Sequence, residues 1–290
     1  MERARGEIRK TVIPAAGGEY LLLLEREDFS GTYPGMARYS LSVTKDGETV
    51  ALFRTNSYEY TPSDPLDAET AALRKADAWE HALRTDPGTF AAAHRVPERR
   101  TPPPLETDVL VIQGSPRGDG NCAILAGWAA EAARDLGKKA DVIFPHDMEI
   151  HHCIGCYQCY NTGSCVFNDD MASIIHAIRH AALVVVCTPV YTNTVPGGLK
   201  LLFDRCQAYH AERTITGGGP APKGLLLSVA GRPGLSNFAC ITGVTGPFMR
   251  NIGIVPSGEV LVDAMDRHRD VRNIAGTEKR VKDLVSECLR

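Results

Sequence analysis

The chain has 290 residues, enough for one large domain or two with a substantial buried core. Its 32 basic and 35 acidic residues nearly cancel, which argues against a nucleic-acid or anionic-membrane partner. The charged start MERARGEIRK is not followed by a signal-peptide core, the longest apolar runs are too short to span a bilayer, and nine cysteines, four of them between Cys153 and Cys165, suit a reducing cytoplasm and metal or redox work.

In chain order, residues 1–103 read as a small α+β module. Tyr20–Leu24 is a strand candidate, and Tyr39, Leu41 and Val43 alternate up to a turn at Asp46-Gly47, from which Val50–Phe53 returns as a hairpin. Asp67 caps a helix carrying Ala72, Ala76, Trp79 and Leu83 on one stripe, ended by Asp86-Pro87-Gly88. No ligand cluster or nucleophile stands out there, so the module is expected to pack on, or dimerise, the main domain. PERRTPPPLE, residues 97–106, reads as a proline-rich charged linker.

The second domain, 107–290, opens with DVLVIQGSPRGDGN. Val109–Ile112 is a short, wholly apolar run, as in a parallel strand covered on both faces. A glycine-rich turn follows. Asn121 is the expected N-cap of a helix with Ile124, Leu125, Trp128, Ala132 and Leu136 at helical spacing, stopped by Gly137. Strand, glycine-rich turn and helix N-terminus make a phosphate site, with Ser115 adding a hydroxyl and Arg117 a guanidinium. Neither GxxxxGK[ST] nor GxGxxG is present, so the loop is not a P-loop or a dinucleotide turn.

Further strands are predicted at Ala140–Phe144, Leu183–Cys187, Leu225–Ala230 and Glu259–Asp263. The helices between them follow Asp169 or Asp170, run from Leu199 to Cys206, surround Phe238, Ile241 and Phe248, and close the chain with Val281, Leu284, Val285 and Cys288. Five βα units predict a doubly wound five-stranded parallel sheet that binds ligands at the carboxyl ends of its strands. After the third strand, Pro189, Val190 and Tyr191 suit a thin apolar slot for a flat ring, and the amides of Thr192 and Asn193 suit its edge. Cys187, Cys206, Cys240 and Cys288 read as small core residues.

Together, GSPRGDGN, the spacing C-x2-C-x2-C-x5-C followed by DDM, and TPVYTNTVPGGLKLLFDR resemble the flavodoxin-like NAD(P)H-dependent FMN reductases, and most of all the iron–sulfur flavoproteins among them. The resemblance covers residues 107 to about 265. It implies FMN with its phosphate in the loop of Ser115, Arg117, Gly120, Asn121 and Cys122. The isoalloxazine would lie against Pro189, Val190, Tyr191, Thr192 and Asn193, with the 230–234 loop (Ala230, Gly231) nearby. Cys122 departs from the pattern, since the family usually has Thr or Ser there and a thiol is a weak donor. Lys200, Asp204 and Arg205 follow the pattern and read as helix-surface or interface charges.

Cys153, Cys156, Cys159 and Cys165 have the compact spacing that a [4Fe–4S] cluster requires. Zinc bound by four thiolates and metal-free thiols are the alternatives. His151 and His152 read as surface residues. What the resemblance implies is a cytoplasmic FMN oxidoreductase exchanging electrons with NAD(P)H, a ferredoxin-like redox protein or a small-molecule acceptor, as a homodimer or homotetramer. A plain NAD(P)H-dependent FMN, quinone or nitro reductase without a cluster is the alternative within enzymes. A non-enzymatic electron carrier, or a flavin-binding module regulated by its cysteines, is the alternative outside them.

Overall fold

The computed structural model describes residues 5–15, 18–31, 33–61, 63–94 and 103–290. The linker expected at 97–106 therefore falls largely outside the described residues. The chain divides into two compact units, Met1–Arg99 with Gly155–Val166, and Arg100–Ile154 with Phe167–Arg290. The sequence placed the whole cysteine segment in the second domain. Cys153 groups there, whereas Cys156, Cys159 and Cys165 group with the N-terminal unit.

The N-terminal unit is a four-stranded antiparallel meander, β1 (Arg5–Ala15), β2 (Gly18–Asp28), β3 (Ala37–Lys45) and β4 (Glu48–Asn56), paired in that order. On β2 and β3 the buried residues alternate, Leu22, Leu24, Leu41 and Val43 pointing to one face. Helix α1 (Ala68–Thr85) buries Ala72, Ala76, Trp79 and Leu83 in the same core. Asp67 caps it, accepting from the Thr70 N–H at 2.7 Å. Strand β1 was not foreseen, because Glu7, Arg9 and Lys10 give it no apolar alternation. A second short helix, α2 (Pro87–Ala93), starts where the sequence suggested a stop; Asp86 caps it and Pro87 occupies its first position.

The second unit is a five-stranded sheet built from β5 (Val109–Gln113), β6 (Ala140–Ile143), β7 (Leu183–Pro189), β8 (Lys223–Val229) and β9 (Val255–Val262). The order is β6-β5-β7-β8-β9, parallel throughout. Alternate residues of each strand feed two cores. Val109, Val111, Val185 and Leu227 pack with α3 (Asn121–Asp135) and α10 (Thr277–Leu289). Leu110, Ile112, Val184 and Leu226 pack with α5 (Met171–His180), α6 (Gly197–Arg205), α7 (Gln207–Thr216) and α8 (Ala239–Asn251). Helix α7 was not predicted; it buries only Ala208, Tyr209 and Ala211, too sparse a stripe to read. Cys187, Cys206 and Cys288 are buried as expected, while Cys240 is only partly so.

Candidate functional site

The chain order reverses between the parallel neighbours β5 and β7, whose connections lead to opposite sides of the sheet, and the loops after β5, β7 and β8 emerge side by side at the carboxyl edge. Three backbone bonds continue the ladder past the strand ends: Gly114 N to Cys187 O at 2.8 Å, Val190 N to Val229 O at 2.9 Å and Ala230 N to Val262 O at 2.9 Å. The first loop is braced by a residue the sequence reading passed over. Gln113, fully buried at the end of β5, accepts from the Ser115 N–H at 2.6 Å and donates to the Arg117 carbonyl at 3.0 Å. An amide ending an otherwise apolar strand was the available signal. Ser115 is buried and its Oγ accepts from the Arg117 N–H at 3.2 Å, while the Arg117 side chain is exposed. A Cβ on Gly114 would meet Leu199 Cδ2 at 2.5 Å, so the close packing of this turn on α6 requires glycine.

Asn121 does not cap α3. Gly120 is the N-cap, in extended conformation and without a side-chain acceptor. Asn121 is the first helical residue, and its amide reaches away, donating to the Arg269 carbonyl (3.1 Å) and accepting from the Val271 N–H (2.9 Å). The first helical bond is donated by Ile124 to Gly120 at 3.1 Å. The N–H groups of Asn121, Cys122 and Ala123 thus precede the hydrogen-bonded helix, and the positive end of the helix dipole is uncapped. Cys122 is 2 % exposed in the core beneath, and burial pushes its thiol up to about 12. Its backbone N–H, rather than its sulfur, belongs to the anion-facing set.

After β7, Pro189 and Val190 are half-buried and Tyr191 is 42 % exposed. Tyr191 and Thr194 exchange backbone hydrogen bonds at 2.8 Å across Thr192 (φ 42°) and Asn193 (φ 60°). Two consecutive positive φ angles mark a type I′ turn, which favours Asn and Gly. A β-branched threonine is strained there by about 1–3 kcal/mol. The turn leaves both central residues exposed at the carboxyl edge. In the third loop Ala230 is buried, and Gly231 lies so close to Asp266 that a Cβ would meet its carboxylate at 2.7 Å.

The cysteine segment is anchored at its two feet in the second unit. Arg205, read as a helix-surface or interface charge, is buried. It pairs bidentately with Asp169 at 2.5 and 3.0 Å, both side chains 1 % exposed. Arg205 also donates to the His151 carbonyl at 2.7 Å, and Asp169 accepts from the His151 N–H at 3.0 Å. Burial alone would raise the Asp169 carboxyl; hydrogen bonds from Arg205 and His151 outweigh it and hold it below its usual value. His151 stacks on Phe167 at 4.9 Å between centroids. Lys200 and Asp204 form an exposed i,i+4 pair, as expected.

Within the N-terminal unit, short helix α4 (Cys159–Thr162) carries the middle of the segment. The Tyr160 carbonyl accepts from Arg38 at 2.9 Å, and the Asn161 carbonyl accepts from Arg38 at 3.2 Å and Arg54 at 2.8 Å. The Asn161 amide, 1 % exposed, accepts from Asn56 at 2.9 Å and donates to Glu59 at 2.6 Å and to the Arg54 carbonyl at 3.2 Å. Gln158 also donates to Glu59. Burial raises the Glu59 carboxyl against these donors. Arg38 is itself buried and paired with Glu27 at 2.6 Å. No sequence signal exposed this network, since its partners lie some hundred positions apart. Gly155 (φ 65°) and Tyr157 (φ 56°) curl the chain on either side of Cys156. Cys153 is exposed and Cys156, Cys159 and Cys165 are half-buried. Among the described residues, no three His, Cys, Asp or Glu side chains are drawn together closely enough to hold a metal ion.

The NADPH-dependent FMN reductase family matches residues 107–235, the stretch holding the first two loops, the cysteines and the start of the third loop. Residues 107–235 belong to the NAD(P)H-dependent FMN reductase family. The chain is 39% identical over 94 residues to an iron–sulfur flavoprotein of Methanosarcina thermophila, covering 32% of this chain and 49% of that protein. An iron–sulfur flavoprotein of Archaeoglobus fulgidus is 25% identical over 194 residues, 62% of this chain and 97% of its own length. The chain spans about half the length of the first two relatives, 49% and 50%. Among solved structures, an NAD(P)H:quinone oxidoreductase from Methanothermobacter marburgensis superposes with a TM-score of 0.52 at 14% identity, over 64% of this chain and 98% of its own. An FMN-dependent NADH-azoreductase from Bacillus anthracis, in complex with FMN, gives 0.50 at 13% identity, over 63% and 99%. These two show the flavodoxin-like fold of the FMN reductase domain. No helix among the described residues is long and apolar enough to cross a membrane.

Proposed function

We propose that the protein is an FMN-dependent oxidoreductase whose FMN reductase domain passes electrons between NAD(P)H or a redox protein and an acceptor. The observation that carries this reading is the uncapped N-terminus of α3 beside the exposed Tyr191–Thr194 turn, on neighbouring strands of one sheet edge. The donor set suits a phosphate monoester: the N–H groups of Asn121, Cys122 and Ala123, the Ser115 hydroxyl, the Arg117 guanidinium and the helix dipole act together. Gly120 and Gly118 let the backbone approach the anion, and a Cβ on Gly118 would meet nothing within 4 Å. Pro189, Val190 and Tyr191 would flank the ring, the amides of Thr192 and Asn193 would meet its edge, and Ala230 and Gly231 would border it. When bound, FMN supplies hydride acceptance and one-electron release; the protein holds the ring, orients it and sets its polarity.

The test is the cofactor itself. Acid-released cofactor is expected to chromatograph as FMN at one per chain, with NADH or NADPH bleaching its visible absorption. Stoichiometric FAD, or no flavin after reconstitution, would refute the reading. Bleaching only when a separate reductase is added would identify an electron carrier instead.

Cys153, Cys156, Cys159 and Cys165 are proposed as ligands of a [4Fe–4S] cluster. Their thiol chemistry and compact spacing support this, as do the names of the relatives. Iron, acid-labile sulfide and zinc analysis after anaerobic purification decides it. Four irons and four sulfides per chain are the expected result; one zinc without sulfide, or neither metal, would overturn it. Four ligand thiols also suit the cytoplasm, and the family resemblance supports a homodimer or homotetramer, which sedimentation would report.

A further inference from the structure

The cysteine segment is a poor structure by itself. Helix α4 has four residues, and a single turn does not persist in water because its nucleation cost is not recovered. Yet its backbone bonds are formed, Tyr160 N to Tyr157 O at 3.0 Å, Asn161 N to Gln158 O at 2.9 Å and Gly163 N to Cys159 O at 2.8 Å. Its two inner residues are buried against the N-terminal sheet. The stabilisation therefore comes from outside the segment.

The contacts responsible differ from ordinary core packing. Arg38 and Arg54 extend from adjacent strands of the meander and direct guanidinium donors at the carbonyls of Tyr160 and Asn161. These are the outward-facing carbonyls at the negative end of the short helix, where cations are favoured. The Asn161 side chain is satisfied at both its oxygen and its nitrogen by Asn56, Glu59 and the Arg54 carbonyl. Burying Arg38 with Glu27 adds a desolvation cost that an apolar pair would avoid. A sheet that needed only a core has no use for this pair; a sheet that must grip a polar backbone does.

We infer that the N-terminal sheet is a positioning device for the cysteine segment, with Arg38, Arg54, Glu59 and Asn161 as positioning residues for Cys156, Cys159 and Cys165. This deepens the cluster reading and rests on it for what the positioning serves, but the grip exists whether or not iron binds. Asn161 is the centre of the device, because its side chain joins β4, the 3₁₀ turn at Ser57–Glu59 and the cysteine loop.

The experiment is hydrogen exchange and cysteine alkylation on the full-length chain stripped of metal by chelation, comparing wild type with Asn161→Ala. In the variant, exchange at the amides of Tyr160, Asn161 and Gly163 is expected to accelerate about tenfold or more, and alkylation of Cys156, Cys159 and Cys165 to accelerate likewise. The amides of β2 and β3 should stay protected and FMN content unchanged, which separates loss of the grip from loss of the fold. Unchanged exchange and alkylation in a folded variant would overturn the inference. If Asn161→Ala does not fold, wild type alone decides. Segment amides that lose protection at the same denaturant concentration as β3 support the grip, and segment amides exchanging at the rate of an unstructured peptide refute it. Iron content, measured separately on the untreated protein, reports on the cluster reading and not on the grip.

Discussion

Replacing Arg205 with Met removes one half of a buried, bidentate ion pair and leaves the Asp169 carboxylate, among the described residues, with the His151 and Met171 donors. Truncating one partner of such a pair costs about 3–5 kcal/mol, because the remaining charge stays desolvated and uncompensated. With a urea m-value of about 2 kcal/mol/M, the unfolding midpoint of the second unit should fall by roughly 1.5–2.5 M. Trp128 reports on that unit once Trp79 of the other is replaced by Phe, these being the chain's two tryptophans. The double variant Arg205→Met, Asp169→Leu should recover much of the loss, since no buried charge remains. The same pair sets an acid limit. A depressed carboxyl stabilises the fold above the ordinary aspartate range, about pH 4, and the contribution is lost as pH falls through the lower, folded-state value. Asp169→Asn should lack that acid dependence. A loss under about 1 kcal/mol for Arg205→Met would show that the pair is solvated and not the anchor described here.

Arg117→Ala should weaken FMN binding by about 1–3 kcal/mol if its guanidinium meets the phosphate, read by fluorescence titration; unchanged affinity would place the side chain in solvent. Cys122, a thiol pushed up to about 12 by burial, should resist iodoacetamide at pH 8 in the native chain while exposed Cys153 reacts, by peptide mass mapping of the metal-free protein. Thr192→Gly should raise thermal stability, read by calorimetry without flavin, since relief of about 1–3 kcal/mol of backbone strain at positive φ exceeds the roughly 0.5–1 kcal/mol entropic cost of glycine. Asp67→Ala should cost about 1 kcal/mol through loss of the α1 cap, seen in urea unfolding followed at Trp79.

Much of the second unit was legible in the sequence because its strands are buried on both faces. Val109–Ile112 and Leu183–Cys187 are continuous apolar runs that a sheet between two helix layers demands, and glycine-rich turns punctuate them. The outer strand β9 begins at Val255, earlier than the predicted Glu259, since its first residues are exposed and carry no apolar signal. The helix entry at Gly120 was misplaced by one residue because Asn121 has the composition of a cap but spends its amide on residues 269 and 271, a contact with no local trace. Arg205 looked like a surface charge for a similar reason: its partner Asp169 lies on another element, and spacing along one helix cannot report a tertiary ion pair. The polar grip of Arg38, Arg54, Asn56 and Glu59 was illegible altogether, as each residue type is ordinary in a half-exposed strand or turn.

The assignment of Gly155–Val166 to the N-terminal unit makes that unit discontinuous along the chain, and this bears on how it reaches its native state. During synthesis the meander and α1 emerge first, but Asn56 and Glu59 must wait for Asn161, which follows two strands and a helix of the other unit. Closing so long a loop slows the final assembly more than it weakens the product, because loop-closure entropy grows only logarithmically with length. A fragment ending at the linker would stop at this unfinished stage, with the buried Arg38 lacking the carbonyls it was placed to meet. Its maturation is therefore coupled to translation of the FMN reductase domain, and a ribosome stalled before the cysteines would hold a nascent sheet with an open polar cleft.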